Sequence, residues 1–163
     1  MSVLSASLFQ TFLAWIETTA PARAIAESLQ LTAWLSASHL IGFTLVMGGA
    51  LVANLRSLGL VLAHRAAIEI SGAATRAIAL GLAISIATGL LMFSGRATAV
   101  AASGTFQLKM LLLVAATVFH FASLRFTTRA QEGSTPALRT AGMLGLALWL
   151  GLAVTACAFI LFE

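Results

Sequence analysis

Residues 73–93 read AATRAIALGLAISIATGLLMF, and this stretch decides the fold. No charged side chain stands between Arg76 and Arg96. About 20 apolar residues at 1.5 Å each cover the hydrocarbon core of a bilayer, roughly 30 Å thick. The stretch therefore predicts a membrane-crossing helix. Its small residues Ala73, Ala77, Gly81, Ser85 and Gly89 follow one another at intervals of four, so they form one groove on that helix. Lipid supplies no hydrophobic drive between helices, so close backbone approach has to supply the contact. Tight packing inside a bundle is the plain reading of such a groove. A seat for a partner subunit, including a second copy of the chain, is the alternative.

Outward from this stretch, three more apolar runs have the same length. One spans about Leu31 to Leu55 and ends at Arg56. Another spans about Phe106 to Leu124, from Lys109 to Arg125, and the last spans about Ala141 to Phe162. The last run carries its own small residues in Ala137, Ala141 and Gly145, then Ala147, Gly151 and Thr155. Short connectors predict antiparallel neighbours. The expected fold is an all-α membrane protein, a four-transmembrane-helix up-down bundle. Residues 30–163 form the bundle as a single domain, and residues 1–29 precede it as an amphipathic, interfacial segment. In Val3 to Thr18 an apolar stripe of Leu4, Leu8, Phe12 and Ile16, flanked by Leu13 and Trp15, suits the headgroup layer and not a crossing. Pro21 can open a second short helix as its first residue.

Composition agrees. Of 163 residues, 60% are hydrophobic and only 9% charged, where a soluble domain carries about a quarter charged. The net charge of +4 comes from basic residues placed singly between apolar runs, which is the pattern of interfacial anchors and not of a nucleic-acid surface. The first and third connectors hold Arg56, Arg65, Arg76, Arg125, Arg129 and Arg139; the other side holds Arg23, Arg96 and Lys109. The positive-inside rule then puts both termini in the periplasm of a bacterial inner membrane. No cleavable signal is expected, because the N-terminus lacks a basic region. The single Cys157 excludes an internal disulfide, and the scattered methionines read as packing.

Ionisable groups inside a span are costly, so each is a functional candidate. Three qualify: His39 in the first span, Lys109 and His120 in the third. Lys109 and His120 are eleven residues apart and share a helix face. His39 shares its face with Gly42, Val46, Gly49 and Ala53, which leaves room for a flat group such as a porphyrin or for another helix. Each has a bland reading beside the functional one. Lys109 can snorkel to headgroups, and either histidine can simply bond to a neighbouring helix. His64, in a connector, reads as interfacial.

The sharp hypothesis is haem b, with His39 and His120 as metal ligands and Lys109 completing the cofactor site. Depth speaks against one haem bridging both histidines: the rings are offset by about 9 Å counted from one end of the spans and about 18 Å from the other. A haem on His39 alone, with Lys109 or Arg96 at its propionates, fits the levels better. So does a relay using both histidines at different depths.

The chain resembles a bacterial inner-membrane family known only as a domain of unknown function, DUF6644. The matching pieces are Trp15-Ile16-Glu17, Glu27-Ser28-Leu29, His39 with Gly42, Asn54-Leu55-Arg56-Ser57-Leu58-Gly59, Thr88-Gly89-Leu90-Leu91, and Phe106 with Lys109. The family more often has Asp at the place of Asn54. A looser likeness, at His39, Lys109 and His120, looks like four-helix copper-resistance D and HemJ-like membrane proteins. That likeness implies copper handling or haem b at those three positions, without an oxidase activity.

Three functions follow as expectations. The first is a haem b-binding redox component passing electrons between the quinone pool and a periplasmic partner. The second is a non-catalytic accessory subunit of a membrane complex. The third is a metal or small-solute transport component, disfavoured because no span is broken by proline. A soluble-type enzyme is not expected, since no catalytic triad, intramembrane carboxylate pair, phosphate loop or HExxH motif is present.

Overall fold

The computed structural model describes residues 3–62, 65, 67–127 and 136–162; His64 and Arg129 lie outside them. The chain runs through α1 (Val3–Glu17), α2 (Ala20–Glu27), α3 (Leu29–Ser57), α4 (Ala67–Ser94), α5 (Ala97–Ala102), α6 (Gly104–Thr127) and α7 (Pro136–Phe162). The fold is all-α, and α3, α4, α6 and α7 are each long and apolar enough to cross a membrane. Their outward faces are leucine, isoleucine, valine and phenylalanine; Leu111, for example, is 66% exposed. Only 11% of the apolar window of α6 is buried inside the protein. Water would not tolerate that surface, so lipid covers it. The protein is a multi-pass membrane protein.

Helix ends follow local chemistry. Ser28 caps α3 by accepting a bond from the Leu31 N–H, and Ser103 caps α6 by accepting from Phe106. α3 ends at Gly59, whose φ of 78° allows Leu60 N–H to reach the Leu55 carbonyl and Gly59 N–H the Arg56 carbonyl. Pro21 sits one residue inside α2, not at its first position. The six-residue α5 was not expected from the sequence.

α3 packs most extensively on α4 and also on α7, and α7 packs on α6. α4 and α6 approach at few points. Side chains bridge that gap: Phe93 stacks on Phe106 at 5.6 Å, and Thr75 meets His120. The expected neighbours α3/α4 and α6/α7 are therefore present, while α7 returns to α3 and leaves the α4–α6 seam loose.

The small-residue groove of α4 is filled by α3 of the same chain. A Cβ added at Gly81 would collide with the Gly42 carbonyl and the Val46 backbone N, and one at Gly49 would collide with the Ala74 carbonyl. Gly42 likewise lies against Gly81 and Ser85. The bundle packing read from that spacing is thus present, and α3 occupies the groove that the alternative reading gave to a second copy. On α7 the inward row is Gly142, Gly145, Trp149, Leu152 and Ala156, and Ala147 is exposed. Of the row expected from Ala137, Ala141 and Gly145, Gly145 is buried, Ala141 half-buried and Ala137 exposed; of Ala147, Gly151 and Thr155, only the last two are half-buried. So many small residues line α7 that several faces offer the same spacing, and the bulk of Trp149 decides which one turns inward. Gly142 and Gly145 admit the backbone and side chain of Asn54.

At the centre, Val46, Ala50, Ile78, Leu82, Ala116, Trp149 and Leu152 form one apolar plug. The Trp149 indole N–H is buried there with no partner among the described residues. At the α1 end, Leu13, Ala22, Ile25 and Ala97 form a smaller cluster where α1 and α2 pack beside α5 and the ends of α3 and α4. Leu8, Phe9, Phe12 and Trp15 of α1 are exposed, and Trp34 at the start of α3 is exposed with them. Leu13, expected beside the outer stripe, instead turns inward.

Candidate functional site

Two imidazoles hang between the membrane-crossing helices, and each is tied to a threonine of α4. His39 on α3 meets Thr88 with its Nδ1 3.0 Å from the hydroxyl oxygen. His120 on α6 meets Thr75 with its Nε2 3.2 Å away. Thr75 and Thr88 are thirteen residues apart on one helix, so the two imidazoles stand about 20 Å apart along the bundle. The apolar plug lies between those levels. The depth offset read from the sequence is present, and of the readings left open for His39 and His120 as metal ligands the one-iron pairing does not fit: rings so far apart do not meet at one iron. The helical rise alone anticipated this, and the threonines now place it.

The two sites differ in their unspent chemistry. The Thr88 hydroxyl donates its single proton to the Ile84 carbonyl at 2.7 Å, with a longer contact to Ser85. With its proton so placed, it accepts from His39. The proton of the ring is thus assigned to Nδ1, and Nε2 keeps a bare lone pair. This is the arrangement of a ligating histidine, whose second nitrogen donates to a fixed acceptor. Gly89 makes room for the ring: a Cβ there would stand 3.2 Å from Cε1 of His39. The backbone carbonyl of His39 accepts from Ser85 at 3.4 Å, which adds to the α3–α4 contact.

Lys109 on α6 belongs to the His39 level. Phe106 stacks on Phe93, five residues beyond Thr88 on α4, so Lys109 three residues later comes to the same level, and its ammonium lies 5.6 Å from the centre of the Phe159 ring. Phe106, one turn earlier, packs against both Phe93 and Phe159 and fixes that stretch of α6. Among the described residues no carboxylate pairs with Lys109. A half-buried cation with an aromatic floor, beside an imidazole with a free nitrogen, suits a ligand that carries an anionic group. Arg96, the other candidate cation, is exposed at the N-terminal boundary of α5.

His120 is a different case. It is 5% exposed. Thr75 makes no second bond, so either partner can donate, and the pair serves as an interhelical clasp across the loose α4–α6 seam. The ring also packs edge-on against Phe121. Lys109 and His120, expected to act from one face of α6, do share that helix but belong to separate levels.

Among the described residues, no three of His, Cys, Asp and Glu converge as metal ligands. Cys157 is exposed beside Ala153, Val154, Ala158 and Leu161 in a shallow apolar groove on α7. Arg56 holds the first connector by donating to the Arg65 carbonyl at 2.8 Å. Sequence reasoning missed Thr75 and Thr88, although each is a polar residue in an otherwise apolar run. It also missed Glu17, which binds Thr98. No protein-family pattern, no curated protein and no solved structure matches the chain.

Proposed function

We propose that this protein is a haem b-binding redox component of a bacterial inner membrane, in which His39 would hold the iron and Lys109 would meet a propionate. The observation that carries the reading is the His39 ring, held by Thr88 through Nδ1 with Nε2 left bare. The donor set suits the group: one imidazole nitrogen for the iron and one cation, with no carboxylate partner among the described residues, for a propionate. The likeness to HemJ-like proteins at His39 and Lys109 runs the same way. His120 takes no part and closes the bundle instead.

Bound haem supplies one-electron chemistry within the bilayer. The chain's own residues do the rest. Thr88 fixes ring orientation and keeps the ring proton on Nδ1. Lys109 offsets the charge of a propionate. The plug around Trp149 keeps water from running through the bundle. In this reading α1 and its exposed Trp15 lie at the periplasmic face, and the arginine-rich connectors face the cytoplasm. The partner of the redox step is a membrane quinol on one hand and a periplasmic acceptor on the other.

The test is the absorption spectrum of protein purified after haem-replete expression. Wild type and His120→Ala should show a Soret band, and His39→Ala should lose it. A wild type without the band, or a His39→Ala protein that keeps it, overturns the reading.

A further inference from the structure

From the contacts at the α1 end, we infer that Glu17 is a positioning residue: it pins the lipid-facing helix α1 to α5 and thereby sets where the first turns of α6, and with them Lys109, stand against His39. Its relevance to function rests on the His39–Lys109 site proposed above; its geometry does not.

Glu17 is the last residue of α1. Its Oε1 accepts two bonds from one residue, the Thr98 N–H at 2.7 Å and the Thr98 hydroxyl at 2.6 Å. Bonds to an ionised acceptor are short and about twice as strong as neutral ones. Thr98 stands in the first turn of α5, so the carboxylate also satisfies an amide that the short helix leaves open. Behind it, Ala97 is fully buried, and Gly95 lies against Ala22 and Ile25. α1, α2 and α5 are thus one body.

That body is joined to α6 with little slack. Ser103 is the one residue between α5 and α6, and it caps α6. Gln107 Nε2 donates back to the Ala101 carbonyl at 3.0 Å. Phe106 is held against Phe93 and Phe159, and Lys109 follows three residues later over Phe159. α4 and α6 touch at few points, so on the side facing His39 helix packing leaves this end of α6 loosely placed. The corner formed by α5 sets it there, while α7 holds its other side through Phe159. The opposite side of α1 bears Leu8, Phe9, Phe12 and Trp15, which only lipid or another apolar surface would cover. The position of α1 in the headgroup layer is thereby transmitted to the site.

The experiment uses spin labels at Leu40→Cys and Leu108→Cys, two lipid-facing positions beside His39 and Lys109, in a Cys157→Ala background reconstituted in phosphatidylcholine vesicles. The distance between them is read by pulsed electron paramagnetic resonance. With Glu17 in place the pair should give one narrow distance. Glu17→Ala should broaden it, and Thr98→Val, which keeps the amide donor, should broaden it less. Glu17→Gln keeps an accepting oxygen but not its charge, and should broaden it less than Glu17→Ala. A second pair, Leu51→Cys with Leu144→Cys at the far end of α3 and α7, should stay unchanged in every variant. An unchanged Leu40–Leu108 distance in Glu17→Ala overturns the inference, as does equal broadening of both pairs, which marks general loosening. Haem plays no part in this readout, so a wild type without a Soret band would remove the haem reading and leave this one standing.

Discussion

The His39 and His120 levels of this bundle contain the same pair of side chains in two different states. Each has an imidazole from one helix on a threonine of α4. At the His120 level the threonine has nothing else to bond, the ring is 5% exposed, and the pair completes a helix contact. At the His39 level the threonine's proton is already committed to its own helix, the ring is half-buried, and Lys109 stands at the same height on α6. A histidine in a membrane span is thus not a site by virtue of its cost alone. What separates ligand from clasp is whether the fold leaves a nitrogen unspent and what charge stands beside it.

The separation depends on the plug, so the largest effect should come from breaking it. Trp149→Ala leaves a cavity between the two levels and should cost about 3–5 kcal/mol of unfolding free energy in mixed micelles. Trp149→Phe keeps most of the bulk and removes a buried N–H that has no partner among the described residues. An unsatisfied buried donor costs about 1–3 kcal/mol, so this variant should be close to neutral or more stable. A loss from Trp149→Phe as large as from Trp149→Ala would mean that the indole N–H has a partner in the membrane.

A smaller change acts at the His39 level alone. Gly89→Val puts side-chain atoms where the ring stands 3.2 Å from a Cβ. It should cost about 1–3 kcal/mol, as overpacking does, and it should lower haem retention, whereas Gly72→Val, where a Cβ meets nothing, should leave haem retention unchanged. The clasp comes next. His120→Leu or Thr75→Val should cost about 0.6–2 kcal/mol, the range of interhelical bonds in membranes, with the Soret band retained. Loss of the band in either variant would join the two levels that the structure separates.

The smallest effect lies at the membrane surface and depends on pH. The Thr98 hydroxyl, and then its backbone N–H, hold the Glu17 carboxyl below its ordinary value of 4.5. A carboxyl depressed on docking favours the docked state above that ordinary value and loses this contribution as pH falls through the docked value. α1 should therefore stay against α5 down to pH 4.5 and loosen only below it. A spin label at Phe9→Cys, in the Cys157→Ala background, reports the release as increased mobility. Mobility that rises above pH 4.5 would mean that the carboxylate is not what holds α1.

Much of this was legible in the sequence. Long apolar runs bounded by arginine predict four spans, and each observed helix contains or nearly contains its predicted run. The small-residue spacing in residues 73–89 correctly marks close packing, because a backbone approach leaves that signature whichever helix makes it. The occupant of the groove was not legible, since spacing does not name a partner. α7 misled for a related reason: alanine and glycine occur on several of its faces, and only the bulk of Trp149 distinguishes the inner one. The depth offset of the histidines follows from the helical rise. Their threonine partners do not, because they come from another helix. The Glu17–Thr98 bond joins residues 81 apart through a helix of six residues with no hydrophobic period of its own. Nothing local announces it.

The most direct test is nitrogen-15 magnetic resonance of histidine-labelled protein, with His39 assigned by substitution, before and after haem is added. The Thr88 contact puts the His39 proton on Nδ1 and leaves Nε2 free, and the haem proposal expects Nε2 to be the nitrogen whose resonance shifts on adding haem while His120 gives no response. A proton found on Nε2 of His39, or a response to haem at His120 instead, would contradict the account.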